Sequence, residues 1–227
     1  MHELPELLLI DKPKGLTSFD VIRRLRKATG IKKFGHAGTL DPLATGLMLI
    51  GVEKGTKRLT ELVKLDKEYL AEILVGESRT TGDMEGEVVE AKNYEGGVDE
   101  ERLRTVLAEM IGTLELPVSA YSAIKKDGVP MYKRARAAQK KGEQVSEVPI
   151  RAMVVHEAEM LAQSVFVHNG QKRLLVTVRF SVGSGTYIRS LAEEFGKRIG
   201  YPATLYNLRR TQVGEYRIEN SQPLDSF

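Results

Sequence analysis

The chain has 227 residues, 41% of them hydrophobic and 29% charged, a composition that suits one large or two small globular domains with a buried core. It has no cysteine, which excludes disulfides, a thiolate nucleophile and a thiolate metal site. The four histidines, His2, His36, His156 and His168, are spaced too widely for a helix-face metal motif.

No apolar run approaches the length of a membrane span. The N-terminus, "MHELPELLLIDKPKG", is acidic before its apolar stretch, where a signal peptide is basic. A cytoplasmic protein is expected. The net charge of +3 is too small to argue for nucleic acid, but its distribution is uneven. Residues 12–33 hold eight Lys/Arg against Asp20, and residues 125–141 hold seven against Asp127, so the remainder is net acidic. Two such blocks suit a polyanion; two solvated helix faces would read the same way.

In chain order, Leu7 to Asp11 reads as a short buried strand. Thr17 or Ser18 caps a helix with Val21, Ile22, Leu25 and Ala28 on its apolar face, stopped by Gly30. "GLMLIGV" is a second buried strand, Thr56 to Val63 a short helix, and "KEYLAEILVGE" a third strand, followed by the loop "SRTTGDMEG" and the strand "EVVEA". Asp99 caps a helix whose stripe is Leu103, Val106, Leu107, Met110 and Ile111, ended by Gly112. Residues 113–150 are polar, basic and irregular, and read as an insertion within one domain, not as a boundary. "KRLLVTVRFSVG" alternates, with Leu174, Val176, Val178, Phe180 and Val182 on one face. It leads through "GSGTY" into a helix that buries Ile188, Leu191, Ala192, Phe195 and Ile199 and stops at Gly200; "ATLYNLRRTQVGEY" is a final strand. Strands outnumber helices without regular alternation, so the expected class is α+β around a mixed sheet.

Chemistry concentrates in "GHAGTLDPLATG", Gly35 to Gly46. Pro42 biases Asp41 away from the helical region, and Gly35, Gly38 and Gly46 permit sharp turns or close approach. Taken alone, an Asp-Pro pair in a glycine-rich loop is a turn. Arg189 falls in the first turn of its helix, where the helix dipole disfavours a cation. It is either a solvated surface arginine or a buried guanidinium facing a carboxylate, which it would keep ionised. Tyr69 reads equally as core, Lys12 as loop charge and His36 as a loop histidine.

"DKPKGLTS", "GHAGTLDPLATGLM", "DKEY", "GSGTYIRSL" and "LRRT", in this order and spacing, resemble the bacterial tRNA pseudouridine synthase B (TruB) family over roughly Leu7 to Tyr216. The resemblance implies the pseudouridine synthase fold, a mixed, largely antiparallel central sheet with flanking helices, together with a T-loop uridine of tRNA as substrate and neither metal nor cofactor. It makes Asp41 the catalytic aspartate, Arg189 its partner and Tyr69 the ring that stacks on the target base. Lys12 matches the lysine of the first motif, His36 a loop histidine that packs into RNA, and Leu208 a leucine beside the active site. Isomerisation breaks the bond from uracil to ribose C1′, turns the base and rejoins it through C5. It needs an ionised carboxylate, either to attack C1′ or to take a proton from C2′, and a base flipped out of its stack.

"YSAIKKDGVPMYKRAR" resembles the family's RNA-gripping arm, at about 117–150, with Lys133, Arg134 and Arg136 as its phosphate contacts. Leu116-Pro117-Val118 stands where the family usually has Gln-X-Pro. The chain reads as a single catalytic domain, 1–227, without the C-terminal PUA domain of most members. It is expected to act as a monomer on the T-arm stem-loop without guide RNA, away from membranes. The alternatives are a guide-dependent synthase of the archaeal and eukaryotic kind, and an RNA-binding folding factor.

Overall fold

The computed structural model of the chain describes residues 4–122, 124–126, 128–139 and 148–227. In order, the elements are β1 (Leu7–Lys12), α1 (Ser18–Thr29), β2 (Phe34–His36), β3 (Thr45–Val52), a 3-10 segment (Glu53–Arg58), α2 (Leu59–Leu62), β4 (Lys67–Val75), β5 (Glu77–Arg79), β6 (Val88–Ala91) and α3 (Glu100–Glu109). There follow β7 (Gly112–Pro117), β8 (Lys125–Lys126), β9 (Val129–Pro130), α4 (Met131–Gln139), β10 (Ile150–His168), β11 (Gln171–Val182), α5 (Ile188–Ile199), β12 (Ala203–Val213), β13 (Tyr216–Arg217) and β14 (Gln222–Pro223). Among the described residues no helix is long and apolar enough to cross a membrane. The class is α+β, as the sequence indicates.

The chain forms two compact units: residues 1–71, 179–185 and 207–227, and residues 72–178 and 186–206. Unit 1 is built on β3, whose residues are buried from Gly46 to Val52. It pairs antiparallel with β1 and β2 and parallel with β12, while β14 lies parallel to β1. Ala37, Leu47, Leu49, Leu62 and Val213 form an apolar cluster against this sheet. The entry to α1 is fixed by a capping box: Thr17 Oγ1 accepts from the Asp20 amide while the Asp20 carboxylate accepts from the Thr17 amide. Gly30, at φ 75°, ends the helix. Of the expected stripe, Val21, Ile22 and Leu25 are buried but Ala28 is exposed.

In unit 2, β7 pairs antiparallel with β10, Gly112 opposite Val155 and Pro117 opposite Ile150. Helix α3 packs on β10 and α5, and α5 packs on β7. Asp99 caps α3 through the Arg102 amide, and Leu103, Val106, Leu107 and Met110 are buried, but Ile111 is 49% exposed. The helix is over by then, and β7 begins at the next residue.

The structure corrects the reading of residues 113–150 as irregular, because that stretch opens with β7. It also leads into β10, nineteen residues that escape a search for alternation because most of their side chains are exposed. The segment expected as a helix from Thr56 begins instead as a 3-10 turn at Glu53 and is helical only over Leu59–Leu62. Of the second basic block, Asp127, Lys140 and Lys141 lie outside the described residues.

Candidate active site

Three strand rows of unit 1 carry a cation where an apolar residue is due. In β1 the inward row is Leu8, Ile10, Lys12; in β4 it begins Lys67, Tyr69, Ala71; in β12 Leu208 and Arg210 share a buried face. Lys12 is fully buried and Arg210 is 1% exposed. A buried cation is tolerable only if its donors are used. Lys12 Nζ donates to the carbonyls of Leu16 (2.6 Å), Pro13 (3.1 Å) and Pro42 (3.4 Å). Arg210 donates from Nε to Leu47 O at 2.7 Å and from Nη2 to Gly38 O at 3.4 Å. Lys67 Nζ donates to Val63 O (2.8 Å) and to Leu65 O.

Two of these bonds, Lys12 to Pro42 O and Arg210 to Gly38 O, reach the loop that carries Asp41. Pro42 O accepts from Lys12 and from the Gly15 amide (2.8 Å), and Ser18 Oγ both donates to Leu40 O (3.1 Å) and accepts from the Leu40 amide (2.8 Å). The two residues flanking Asp41 are therefore tied to the N-terminal end of α1 and its approach. The Ala44 amide closes a turn onto Asp41 O at 3.1 Å. Leu40, Leu43 and Ala44 are buried, whereas Asp41 is half-exposed.

The glycines expected to matter do so for two reasons. Gly38 has φ +100°, and a Cβ there would lie 3.5 Å from Arg210 Nη1. At Gly46 a Cβ would stand 2.3 Å from Arg210 O, so β3 and β12 could not approach in their parallel register.

Burial is the main cause that lowers the pKa of His36 below its ordinary value, aided by the nearby Arg210 charge. Lys67 is lowered to about 8, again chiefly by burial and then by Arg210. Tyr69 is 7% exposed and Leu208 8% exposed. A cleft of about 230 Å³ beside Lys12 is lined by Asp11, Thr45, Arg209 and the 223–225 segment; Asp41 is not part of it. Lys12, His36, Asp41, Tyr69 and Leu208 thus belong to one unit. The structure adds Ser18, Lys67 and Arg210, none of which the sequence singled out for the site.

Arg189 belongs to unit 2 and is 4% exposed, so it is the buried guanidinium and not the surface arginine. Its Nη1 donates to Thr81 O and Ser119 Oγ, both at 2.7 Å, and its Nη2 to Tyr121 O at 3.3 Å. The buried Asp83 carboxylate lies 3.9 Å from Nε. Glu193, one turn further along α5, has its pKa raised by burial, opposed by Arg189 and reinforced by Asp83. Lys133 and Arg134 lie on α4, exposed and half-exposed; for Arg136 the backbone is in α4 and the side chain lies outside what is described.

The model of the TruB family pseudouridylate synthase (N terminal domain) matches residues 26–188. The chain belongs to the TruB family. The tRNA pseudouridine synthase B of Leifsonia xyli subsp. xyli is 42% identical over 220 residues, which cover 96% of this chain and 70% of that protein. The tRNA pseudouridine synthase B of an Arthrobacter species is 40% identical over 224 residues, 99% of this chain and 71% of that one. A solved H/ACA RNP bound to a substrate RNA containing 2′-deoxyuridine contains a chain 25% identical, with a TM-score of 0.66. The match covers 96% of this TruB-family chain but 51% of the solved one, so the chain spans about half the length of that neighbour.

Proposed function

We propose that this TruB-family chain isomerises the T-loop uridine of tRNA to pseudouridine, with Asp41 as the catalytic carboxylate. One observation carries the assignment to Asp41. It is a half-exposed acid between residues that are pinned on both sides by Lys12, Ser18 and the Gly15 amide. A carboxylate held this way keeps its direction while a substrate enters, which lowers the cost of reaching the reacting geometry. The relatives' name, tRNA pseudouridine synthase B, supports the substrate.

In this reading the charged Asp41 either attacks C1′ or removes the C2′ proton, and the glycosidic bond breaks. The uracil turns, rejoins through C5, and the C5 proton leaves. Tyr69 supports the flipped base, recovering part of the unstacking cost of a few kcal/mol. Arg189 is included on the family resemblance, and Lys133, Arg134 and Arg136 as phosphate contacts on the T-arm.

The test is release of the C5 hydrogen from labelled uridine in an isolated T-arm stem-loop without guide RNA. Stoichiometric release is expected. A requirement for guide RNA would move the chain to the guided synthases, and binding without release to the folding factors.

A further inference from the structure

Helix α1 presents a solvent face that the proposed chemistry does not use. Its exposed positions Phe19, Arg23, Arg26 and Lys27 recur at the spacing of one helical face. Phe19 is 56% exposed, unusual for so large an apolar ring, and the Arg26 guanidinium carbon lies 5.9 Å from its centroid. Arg23 is paired with Asp20, the acid of the capping box. Among the described residues no carboxylate pairs with Arg26 or Lys27, and exposed Lys32 and Lys33 follow directly after the helix.

The place of this face matters. Phe19 follows Ser18, whose hydroxyl holds both backbone groups of Leu40, the neighbour of Asp41. The aromatic head of the stripe is therefore tied to the frame of the Asp41 loop, and the cations run away from it along the helix.

We infer that this α1 face is a second RNA contact. An unpaired base near the reacting nucleotide stacks on Phe19, and the phosphates that follow lie along Arg26, Lys27 and Lys33. The inference deepens the proposed function and rests on it. The occupant is argued from charge: an uncompensated cationic row beside a planar ring matches a single-stranded nucleic acid, which offers a phosphate and a π-face at every step.

The chain has no tryptophan, so Phe19→Trp places a single indole fluorophore on this face. Unmodified tRNA is titrated into that variant and into Arg26→Ala/Lys27→Ala, with binding also followed by anisotropy of labelled tRNA from low to high salt. Stacking is expected to quench the indole emission of the Phe19→Trp variant by about half or more on saturation. The double variant is expected to bind about tenfold more weakly and to lose roughly 1.5 units of log-log salt slope, near 0.7–0.9 for each phosphate contact. All three substitutions fall on exposed positions, and thermal melts of the variants check that the fold is kept. If the unaltered protein binds the tRNA but the emission, affinity and slope do not move, the α1 contact is wrong and the proposed function stands. If the unaltered protein binds no tRNA, both fall.

Discussion

The two units bury their charges in different ways. In unit 1, Lys12, Lys67 and Arg210 sit at the ends or within inward strand rows and donate to main-chain carbonyls, two of which, those of Pro42 and Gly38, are in the Asp41 loop. In unit 2, Arg189 donates to two carbonyls and a hydroxyl and faces the carboxylate of Asp83, with Glu193 close by. The first arrangement is a frame: a cation replaces the strand pairing that an irregular loop cannot make, satisfying carbonyls that would otherwise be buried unpaired. The second is a charge network, in which one group's protonation state bears on another's. A frame answers to substitution through stability and geometry. A network answers through charge.

The sharpest way to separate these roles is to remove charge from the framed loop without disturbing its frame. Asp41→Asn keeps size and hydrogen-bonding shape. Turnover is expected to fall by about 10³-fold or more, ~4 kcal/mol in the barrier. The affinity for tRNA is expected to change by less than about tenfold, ~1.4 kcal/mol. Hydrogen release near the unaltered rate in a preparation free of host enzyme rejects Asp41 as the catalytic group.

Arg189→Lys tests the network. A lysine keeps the charge but lacks the planar fork that reaches Thr81, Ser119 and Tyr121 together. Single-turnover rate is expected to fall by roughly 10²-fold, ~2.7 kcal/mol in the barrier, with tRNA affinity changed less. A variant that melts at a lower temperature but turns over at the unaltered rate shows that the network is structural only.

The frame and the network were unequally legible in the sequence. Helix α1 could be read to its caps because Thr17, Asp20 and Gly30 act locally, and α5 because its stripe repeats every three or four residues. Strand β10 could not, since its mostly exposed side chains leave no alternation to follow. Arg189 was singled out by its misplaced charge, but its acceptors Thr81, Ser119 and Tyr121 lie 108, 70 and 68 positions away, and no local pattern joins them. Lys12, Lys67 and Arg210 did leave a signal. Period-2 alternation puts each on a buried row, beside Ile10, Tyr69 and Leu208 respectively. Lys12 is also marked as a site residue by its family motif; Lys67 and Arg210 are not, and a cation on an inward row looks like an error in register until its acceptors are known.

Within the frame, Lys12→Met removes three donations and keeps the apolar stem. The carbonyls of Pro13, Leu16 and Pro42 lose their shared donor. A stability loss of about 2 kcal/mol is expected, which for a chain of this size lowers Tm by roughly 4–8 °C. Turnover should fall with it, because the Pro42 side of the loop is loosened. An unchanged Tm measured by calorimetry would show that water or a neighbouring donor replaces Lys12, and the frame would lose its first member.

The smallest effect concerns Lys67, where a frame cation titrates. Its folded pKa is about 8 against 10.5 for a free lysine, chiefly from burial. Between these values the unfolded chain holds a proton that the folded chain has released, so unfolding takes up a proton and rising pH favours the fold. The stability tied to this deprotonation is fully present above the unfolded value and is lost as pH falls through about 8. The slope from one such proton cannot exceed about 1.4 kcal/mol per pH unit. The neutral amine still has two hydrogens for its two acceptors, the Val63 and Leu65 carbonyls, so the frame survives the loss of charge. Urea unfolding of the unaltered chain and of Lys67→Met, compared from about pH 7 to about pH 10, should therefore diverge, the unaltered chain gaining stability relative to the variant above about pH 8. Parallel curves would mean that Lys67 keeps its proton throughout and behaves as a fixed charge.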